Sequence, residues 1–572
     1  VTRRVAFGYD IRDLGSVLLK PVKDSLKFKF RKTPITDRRP IVAVQIGPIL
    51  NACLPKHTPD PYALALGVCK RVAFLPPVPE EGRLSGLRQF VLKWAQTNLV
   101  PLHPETDFSF ESWISETQYP EWRKNELRAI YDELPIRDFK YNLQGKKIGM
   151  FMKDEFYTDF KFPRGIYARK DPFKVVFGPY IKRIEQVVFK HPAFIKYVPV
   201  SDRPRYIESY LYRVGAKVVA TDFSSFEAQF TKEMMENCED VLYEYMLSKT
   251  PGYREFLELK THINGTNVID NKYFTLELEA TRQSGEMNTS LGNGFSNLMF
   301  MLYICEQYGC TNIRGVVEGD DGLFVMDNEP PTPAYFAKFG LVLKAEYVDD
   351  ISSASFCGII YHSSDLIPLT DVRKVLATTG WYTGSKWMMK SNKLLAILRC
   401  KALSVYHQYN GCPVLTSFAL AIIRKTMHLH KASQDWVMRG DKSVSSFQRE
   451  MFLSYVNAKL PPRATTGYGS RLVVEEKFGV PVGVQRQLEK YFDDNDVVNN
   501  PMMIDELQFN VPPQWTKFGD RYTRVIHVGS SAKVVEVPVG FDEHYRFNVN
   551  LLIKRLKSGL EVDISKLGMF RR

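Results

Sequence analysis

The stretch GVVEGDDGLFVM, Gly315–Met326, sets two adjacent aspartates between two apolar runs. The pattern predicts a hairpin with Asp320 and Asp321 at its tip. Two carboxylates side by side repel, and a turn needs no more than one Asp and one Gly. The pair is either a solvated turn or a site for a divalent cation, and the tripeptide alone does not decide between them.

A third carboxylate comes from KVVATDFSSFEAQF, Lys217–Phe230. Lys217–Thr221 reads as a strand that ends at Asp222. Ser224 or Ser225 then caps a helix expected to run to about Lys249, with apolar spacing at Phe226, Phe230 and Met234. Strand and hairpin ends laid side by side would gather Asp222, Asp320 and Asp321. Three carboxylates in one place need cations, and they suit two Mg²⁺ ions about 3.5–4 Å apart, the arrangement used for in-line displacement at phosphorus.

Two more stretches add to this. RQSGEMNTSLGNGFSN, Arg282–Asn297, puts Thr289 and Asn293 four residues apart, on one face of a helix expected to reach about Tyr308. Small polar groups there can read a sugar hydroxyl, and Ser284-Gly285 gives a turn where backbone can approach a ligand closely. The plain alternative is a loop-to-helix junction. KDEFYTDFKFPRGIYARKD, Lys153–Asp171, interleaves Lys153, Lys161, Arg164, Arg169 and Lys170 with Phe and Tyr, which suits phosphate contact with stacking or else a solvated basic face.

The chain has 572 residues, too many for one small core, with 77 Lys and Arg against 64 Asp and Glu, a formal charge of +13. That excess favours nucleic acid or an anionic surface as partner. Ordinary apolar content and abundant aromatics argue against disorder. The eight cysteines show no zinc spacing and read as reduced and buried, as in a cytosolic compartment. His428 and His430 lack a third ligand nearby. No apolar run is long enough to span a bilayer, and no signal peptide opens the chain. The first residue is Val, the expectation being a processed product, a readthrough or fusion segment, or a trimmed chain.

The basic run Lys20–Arg39 reads either as a solvated arm or as phosphate contact. Ile41–Leu50 is strand-like, and residues 83–135 are helical in pieces with Trp94, Trp113 and Trp122 as core anchors. Tyr335–Phe339 is a short helix stopped by Gly340, Leu341–Ala345 a strand, and Ser355–Tyr361 a second hairpin. From about Asp371 to Val456 the pattern is mostly helical. Residues 462–545 mix Pro, Gly and β-branched residues without a clear period.

Taken in order, KxE…FPR…R, DxSxFE, SGxxNTxxGN, GDD and a Lys-bearing strand resemble the RNA-dependent RNA polymerases of positive-strand RNA viruses, over roughly residues 145–370. SGEMNTSLGN is similar to the tombusvirus-like members, with nodavirus and carmo-like relatives as the wider circle. The resemblance implies an α+β right-hand fold: an N-terminal extension and fingers over 1–214, a palm with antiparallel sheet over 215–371 holding an inserted fingers segment at about 250–270, and a mostly helical thumb with a C-terminal extension over 372–572. It implies Asp222, Asp320 and Asp321 as ligands of two Mg²⁺ or Mn²⁺ ions and Lys344 as proton donor to pyrophosphate. Glu227, Thr289 and Asn293 would sense the ribose 2′-hydroxyl, and Ser284 and Gly285 would lie on a mobile loop. Lys153, Arg164 and Arg169 would line the NTP channel. Phe356-Cys357-Gly358 would abut the primer strand. Implied partners are a single-stranded RNA template, the product duplex, NTPs and other viral replication proteins. The implied location is host cytoplasm, in membrane-associated replication complexes reached indirectly. Initiation without a primer is expected, with 462–545 as a possible platform.

This sequence departs from the family at Glu227, where Asp is common, and at Phe223, where small residues also occur. A reverse transcriptase-like polymerase shares the paired aspartates and carries a bulky aromatic gate after the first Asp; Phe223 in that role would give a dNTP preference, whereas Thr289 and Asn293 argue for ribose. A non-catalytic RNA-binding replication protein explains the charge but not the three carboxylates. A metal-dependent nuclease would shorten RNA rather than extend it.

Overall fold

The computed structural model describes residues 17–31, 41–49, 54–57, 61–134, 147–383, 391–438, 460–498, 501–504, 509–527 and 548–566. In chain order its strands are β1 (Leu18–Leu19), β2 (Lys27–Phe30), β3 (Ile41–Gln45), β4 (Lys147–Met152), β5 (Gly165–Arg169), β6 (Lys217–Phe223) and β7 (Thr266–Asp270), followed by β8 (Phe274–Glu279), β9 (Arg314–Glu318), β10 (Asp321–Met326), β11 (Leu343–Val348), β12 (Trp381–Tyr382), β13 (Thr523–His527) and β14 (Val562–Asp563). They form a mixed α/β architecture.

The central sheet has four antiparallel strands in the order β11-β6-β10-β9. Both faces are covered, which is why β6 and β10 read as nearly continuous apolar runs. One face carries Val219, Phe223 and Phe324 into the largest core, shared with the helix Thr289–Tyr308. The other carries Val218, Ala220, Leu323 and Val325 into a smaller core under the helix Arg203–Leu211. The expected hairpin is present: β9 and β10 are joined through Gly319, at φ +62°, and Asp320.

A second sheet, mixed, runs β2-β8-β7-β4-β5, with β4 and β7 parallel. Its β7–β8 hairpin follows the helix Tyr253–Asn264, so the stretch inserted between β6 and the helix Thr289–Tyr308 joins this sheet as far as Glu279. Three strands from distant parts of the chain form a third sheet, with β3 between β12 and β13. From Val372 onward the described chain is mainly helical, including Ser391–Tyr409, Leu415–Lys425, Tyr468–Phe478 and Val482–Asp494, packed around one core.

Several expectations need correction. The single helix from Ser225 to Lys249 is instead Phe226–Gln229, Lys232–Asn237 and Glu239–Leu247. Ser225 sits at φ +55° and caps nothing; the cap is Thr231, whose hydroxyl accepts from the Met234 amide. Packing of the Phe226 ring, stacked on Phe223 at 4.3 Å and edge-to-face on Phe230 at 4.8 Å between centroids, turns the chain inward where helical spacing alone would carry it on. Trp113 is core, but Trp122 is 49% exposed. The basic run is not a free arm where it is described: Lys27 and Arg31 pair with Glu277 and Asp270 across the second sheet, the buried Lys23 ammonium donates to Thr281 Oγ1 at 2.6 Å, and Lys20 and Lys29 are exposed. Lys32, Arg38 and Arg39 lie outside the described residues, as do 439–459, the last part of the stretch expected to be mostly helical up to Val456. All seven described cysteines are free and six are buried.

Candidate active site

The sheet register places the charges. Lys344 stands opposite Asp222, Asp222 opposite Asp321, and Asp321 opposite Glu318. These four residues therefore make one row across the four strands, with side chains on one face, and Asp320 adds a carboxylate at the turn. Asp222 and Lys344 are exposed, while Asp320 and Asp321 are half-buried. None of the three aspartates is in an ion pair with a described cation.

The acids feel one another. Burial, then the Glu227 and Asp222 charges, raises the Asp320 pKa above the ordinary carboxylate range. Burial, then Asp320 and Asp222, pushes Asp321 up to about 6, although the Cys357 thiol donates to it. Cys357 and Gly358, at φ +52° and +71°, form a two-residue turn between Phe356 and Ile359, so the second expected hairpin is present and its tip touches Asp321. The donor set is all hard oxygen, which fits Mg²⁺ or Mn²⁺. Among the described residues no three acids are already closed into a ligand shell.

Beside the row lies a cavity of about 230 Å³. Asp320, Glu227, Ser284, Thr289 and Asn293 line it, together with Lys153 and Arg164. Lys153 and Arg164 both approach Glu155, at 2.7 and 3.5 Å. The strand β5 seats the loop before the long helix: the Gly285 amide donates to Tyr167 O at 2.8 Å, and a Cβ at Gly285 would lie 2.8 Å from that same oxygen. The backbone approach foreseen for Gly285 is thus to protein. Ser284 Oγ accepts from the Tyr167 amide at 3.3 Å.

Thr289 Oγ1 donates to Gln283 O at 2.7 Å and accepts from the Glu286 amide at 3.1 Å, closing the helix start. Asn293 Oδ1 accepts from Arg282 Nε at 3.1 Å. No hydrogen bond joins Glu227, Thr289 and Asn293 to one another among the described residues; they share the cavity wall instead.

Arg169 does not reach the cavity. It is 3% exposed and bound to the equally buried Glu286, with Nη2 donating to Asn267 at 2.7 Å. Its place is taken by Arg71, which the sequence reading missed. The helix Pro61–Lys70 packs so closely on Pro163 that a Cβ at Gly67 would collide with the Pro163 carbonyl, and this contact sets Arg71 in the wall with Lys153 and Arg164. Nothing in the local sequence marks Arg71 among 77 basic residues. A second missed residue, Asn297, was findable. Thr289, Asn293 and Asn297 repeat every four residues on a mainly apolar helix, and Asn297 Nδ2 donates to the carbonyls of Gly319 (3.2 Å) and Asp321 (3.1 Å), holding the acidic turn.

Residues 141–498 match the family of viral RNA-dependent RNA polymerases. Similar relatives are the RNA-directed RNA polymerases of Panicum mosaic virus (24% identical over 264 residues, 42% of this chain and 25% of the relative) and Tomato bushy stunt virus (24% over 216 residues, 34% and 26%). That of Maize chlorotic mottle virus is 24% identical over 204 residues, 34% of this chain and 20% of the relative. The chain thus aligns with about a quarter of the length of these relatives. The residues carrying the carboxylate row and most of the cavity wall fall inside the matched span, whereas Arg71 lies before it.

Proposed function

The chain belongs to the viral RNA-dependent RNA polymerase family, and from that premise we propose that it copies single-stranded RNA from NTPs, as the replicase of a positive-strand RNA virus related to the tombusviruses. The observation that carries this reading is the row of Asp222 and Asp321 with Asp320 beside a cavity walled by Arg71, Lys153, Arg164 and Asn293. Acids on one side and cations on the other suit a substrate that is itself a polyanion bridged by metal.

In this reading the family's divalent-metal dependence is met by Asp222, Asp320 and Asp321, which would hold two Mg²⁺ or Mn²⁺ ions. When bound, the ions lower the pKa of the attacking 3′-hydroxyl and neutralise the leaving pyrophosphate. The chain's own residues do the rest. Lys153, Arg164 and Arg71 hold the triphosphate. Asn293, with Glu227 and Thr289 beside it, meets the sugar. Asn297 fixes the carboxylate turn. Lys344, opposite Asp222 in the sheet, gives a proton to pyrophosphate. The central sheet is the palm, the second sheet belongs to the fingers, and the helices after Val372 make the thumb. Initiation needs no primer, the region 462–545, of which 499–500, 505–508 and 528–545 lie outside the described residues, supplying a platform. Template, product duplex and further viral replication proteins complete the complex in host cytoplasm, on membranes reached through those partners. No helix among the described residues is long and apolar enough to cross a membrane.

The test is incorporation of labelled NTPs on a single-stranded RNA, with primed, unprimed and dNTP lanes. Template-length product is expected, and Asp320→Ala/Asp321→Ala should reduce it at least a thousandfold, the loss of more than about 4 kcal/mol of transition-state stabilisation. RNA bound without extension would leave a non-catalytic RNA-binding protein; product surviving in the double variant would remove these aspartates from the chemistry.

A further inference from the structure

Arg282 is fully buried, yet it forms part of the cavity wall. Its side chain is held on two sides and its backbone on a third. Nη2 lies 2.5 Å from Glu239 Oε2, the guanidinium carbon sits 4.6 Å from the centre of the Phe230 ring, and the backbone amide donates to Glu227 O at 3.1 Å. Glu239 is itself fixed by the Tyr243 hydroxyl, which donates to it at 3.0 Å and accepts from Asn288 at 3.3 Å. A Cβ at Gly292 would strike both Glu239 and Arg282, so the helix leaves this pair its room. Just before it the chain is strained: Ala280 and Thr281 stand at φ +47° and +67°, a conformation expensive for a β-branched residue. The Lys23 ammonium on the Thr281 hydroxyl and the Thr281 amide on Phe230 O hold that turn. Strain held in place from several sides points to a side chain whose direction matters.

The direction leads to Asn293. Arg282 Nε is a donor only, so the atom it meets on Asn293 is the amide oxygen. With Oδ1 committed, the polar atom that Asn293 has left for the cavity is Nδ2, again a donor. A donor finds an acceptor in a ribose 2′-oxygen and none at a 2′-deoxy carbon. Released from Arg282, the amide can rotate and offer either end.

We propose that Arg282 is a positioning residue that sets sugar selectivity: anchored by Glu239, it locks the amide of Asn293 so that Nδ2 faces the sugar. This rests on the polymerase reading above and gives it a residue that touches neither metal nor phosphate.

The experiment compares ATP with dATP in two ways: single-nucleotide incorporation on a primed RNA, as the ratio of kcat/KM values, and equilibrium displacement of a fluorescent ATP analogue without RNA. The variant is Arg282→Gln/Glu239→Gln, which removes both buried charges together so that neither is stranded. Preference for the ribonucleotide is expected to fall about tenfold, the worth of one hydrogen bond. R282K should restore part of it. Asn293→Ala should cause a similar fall, and the triple variant no further one, because Arg282 acts through Asn293. A general loss of rate or binding with the ATP/dATP ratio unchanged would overturn the proposal, as would losses that multiply in the triple variant. A wild-type chain making no RNA would count against the polymerase reading, and the displacement ratio would still decide the role of Arg282.

Discussion

Two groups of charge lie within a few residues of each other, and they are built in opposite ways. The group behind the cavity is balanced: Arg282 against Glu239, Arg169 against Glu286, Lys260 against Asp240, all deep in the protein. The group on the sheet is not. Asp222, Asp320 and Asp321 have Glu227 and Glu318 for company, with Lys344 across from Asp222 and Lys196 on Glu318, and burial together with the neighbouring acids raises the pKa values of Asp320 and Asp321. Buried charge is tolerated only when it is paired. The paired group is thus framework, although burial and the Glu239 charge push Asp240 up to about 7, and the acidic row is a site that becomes complete with something positive.

The sharpest way to break this contrast is to unbalance the framework. Arg169→Gln strands Glu286 and should cost about 3–5 kcal/mol in denaturant unfolding, while Arg169→Met/Glu286→Leu should recover most of it. If the single variant were as stable as wild type but raised KM for NTP, Arg169 would belong to the site after all. Arg71 gives the converse. It bears on the cavity rather than the core, so Arg71→Ala should raise KM for NTP about five- to tenfold, with little change in melting temperature.

The smallest effect carries a sign. Asp321 titrates near 6 in the folded chain against an ordinary 3.8. Its protonated form contributes stability that is present below about pH 4 and lost as pH rises through about 6. Without metal, Asp321→Asn should therefore stabilise the protein by about 1–2 kcal/mol at pH 7.5, a figure reduced for partial exposure. The gain should vanish near pH 4 and reverse when Mg²⁺ is added to the wild type. Thermal melts at the two pH values, with and without the ion, check it; a variant less stable at pH 7.5 in chelator would mean the carboxylates do not strain one another.

Much of this was legible in sequence because the signals are local. Apolar runs on either side of Gly319-Asp320 define the β9–β10 hairpin, and polar residues every fourth position on an apolar background define the long helix with its Gly309 stop. What failed was whatever depends on a partner far along the chain. Arg169 and Arg71 look alike until Glu286, 117 residues away from the first, claims it. The alternating Lys and Phe of β2 read as an arm because the strand that receives them, β8, lies about 250 residues later. The broken helix after Ser225 failed for another reason: Phe226, Phe230 and Met234 satisfy helical spacing, but the packing of three rings, Phe223, Phe226 and Phe230, decides the backbone.

The third sheet bears on how the protein is made. Its middle strand, β3, is flanked by β12, which ends at Tyr382, and by β13, which ends at His527. At roughly 5–20 residues per second, the roughly 480 residues between Gln45 and His527 take on the order of 25–100 s to emerge from the ribosome. For that interval Ile41–Gln45 is an apolar strand with an unsatisfied edge, a template for the wrong neighbour. Synthesis of this chain therefore includes a waiting period, and the yield of soluble protein should depend on what shields that strand until the last partner arrives.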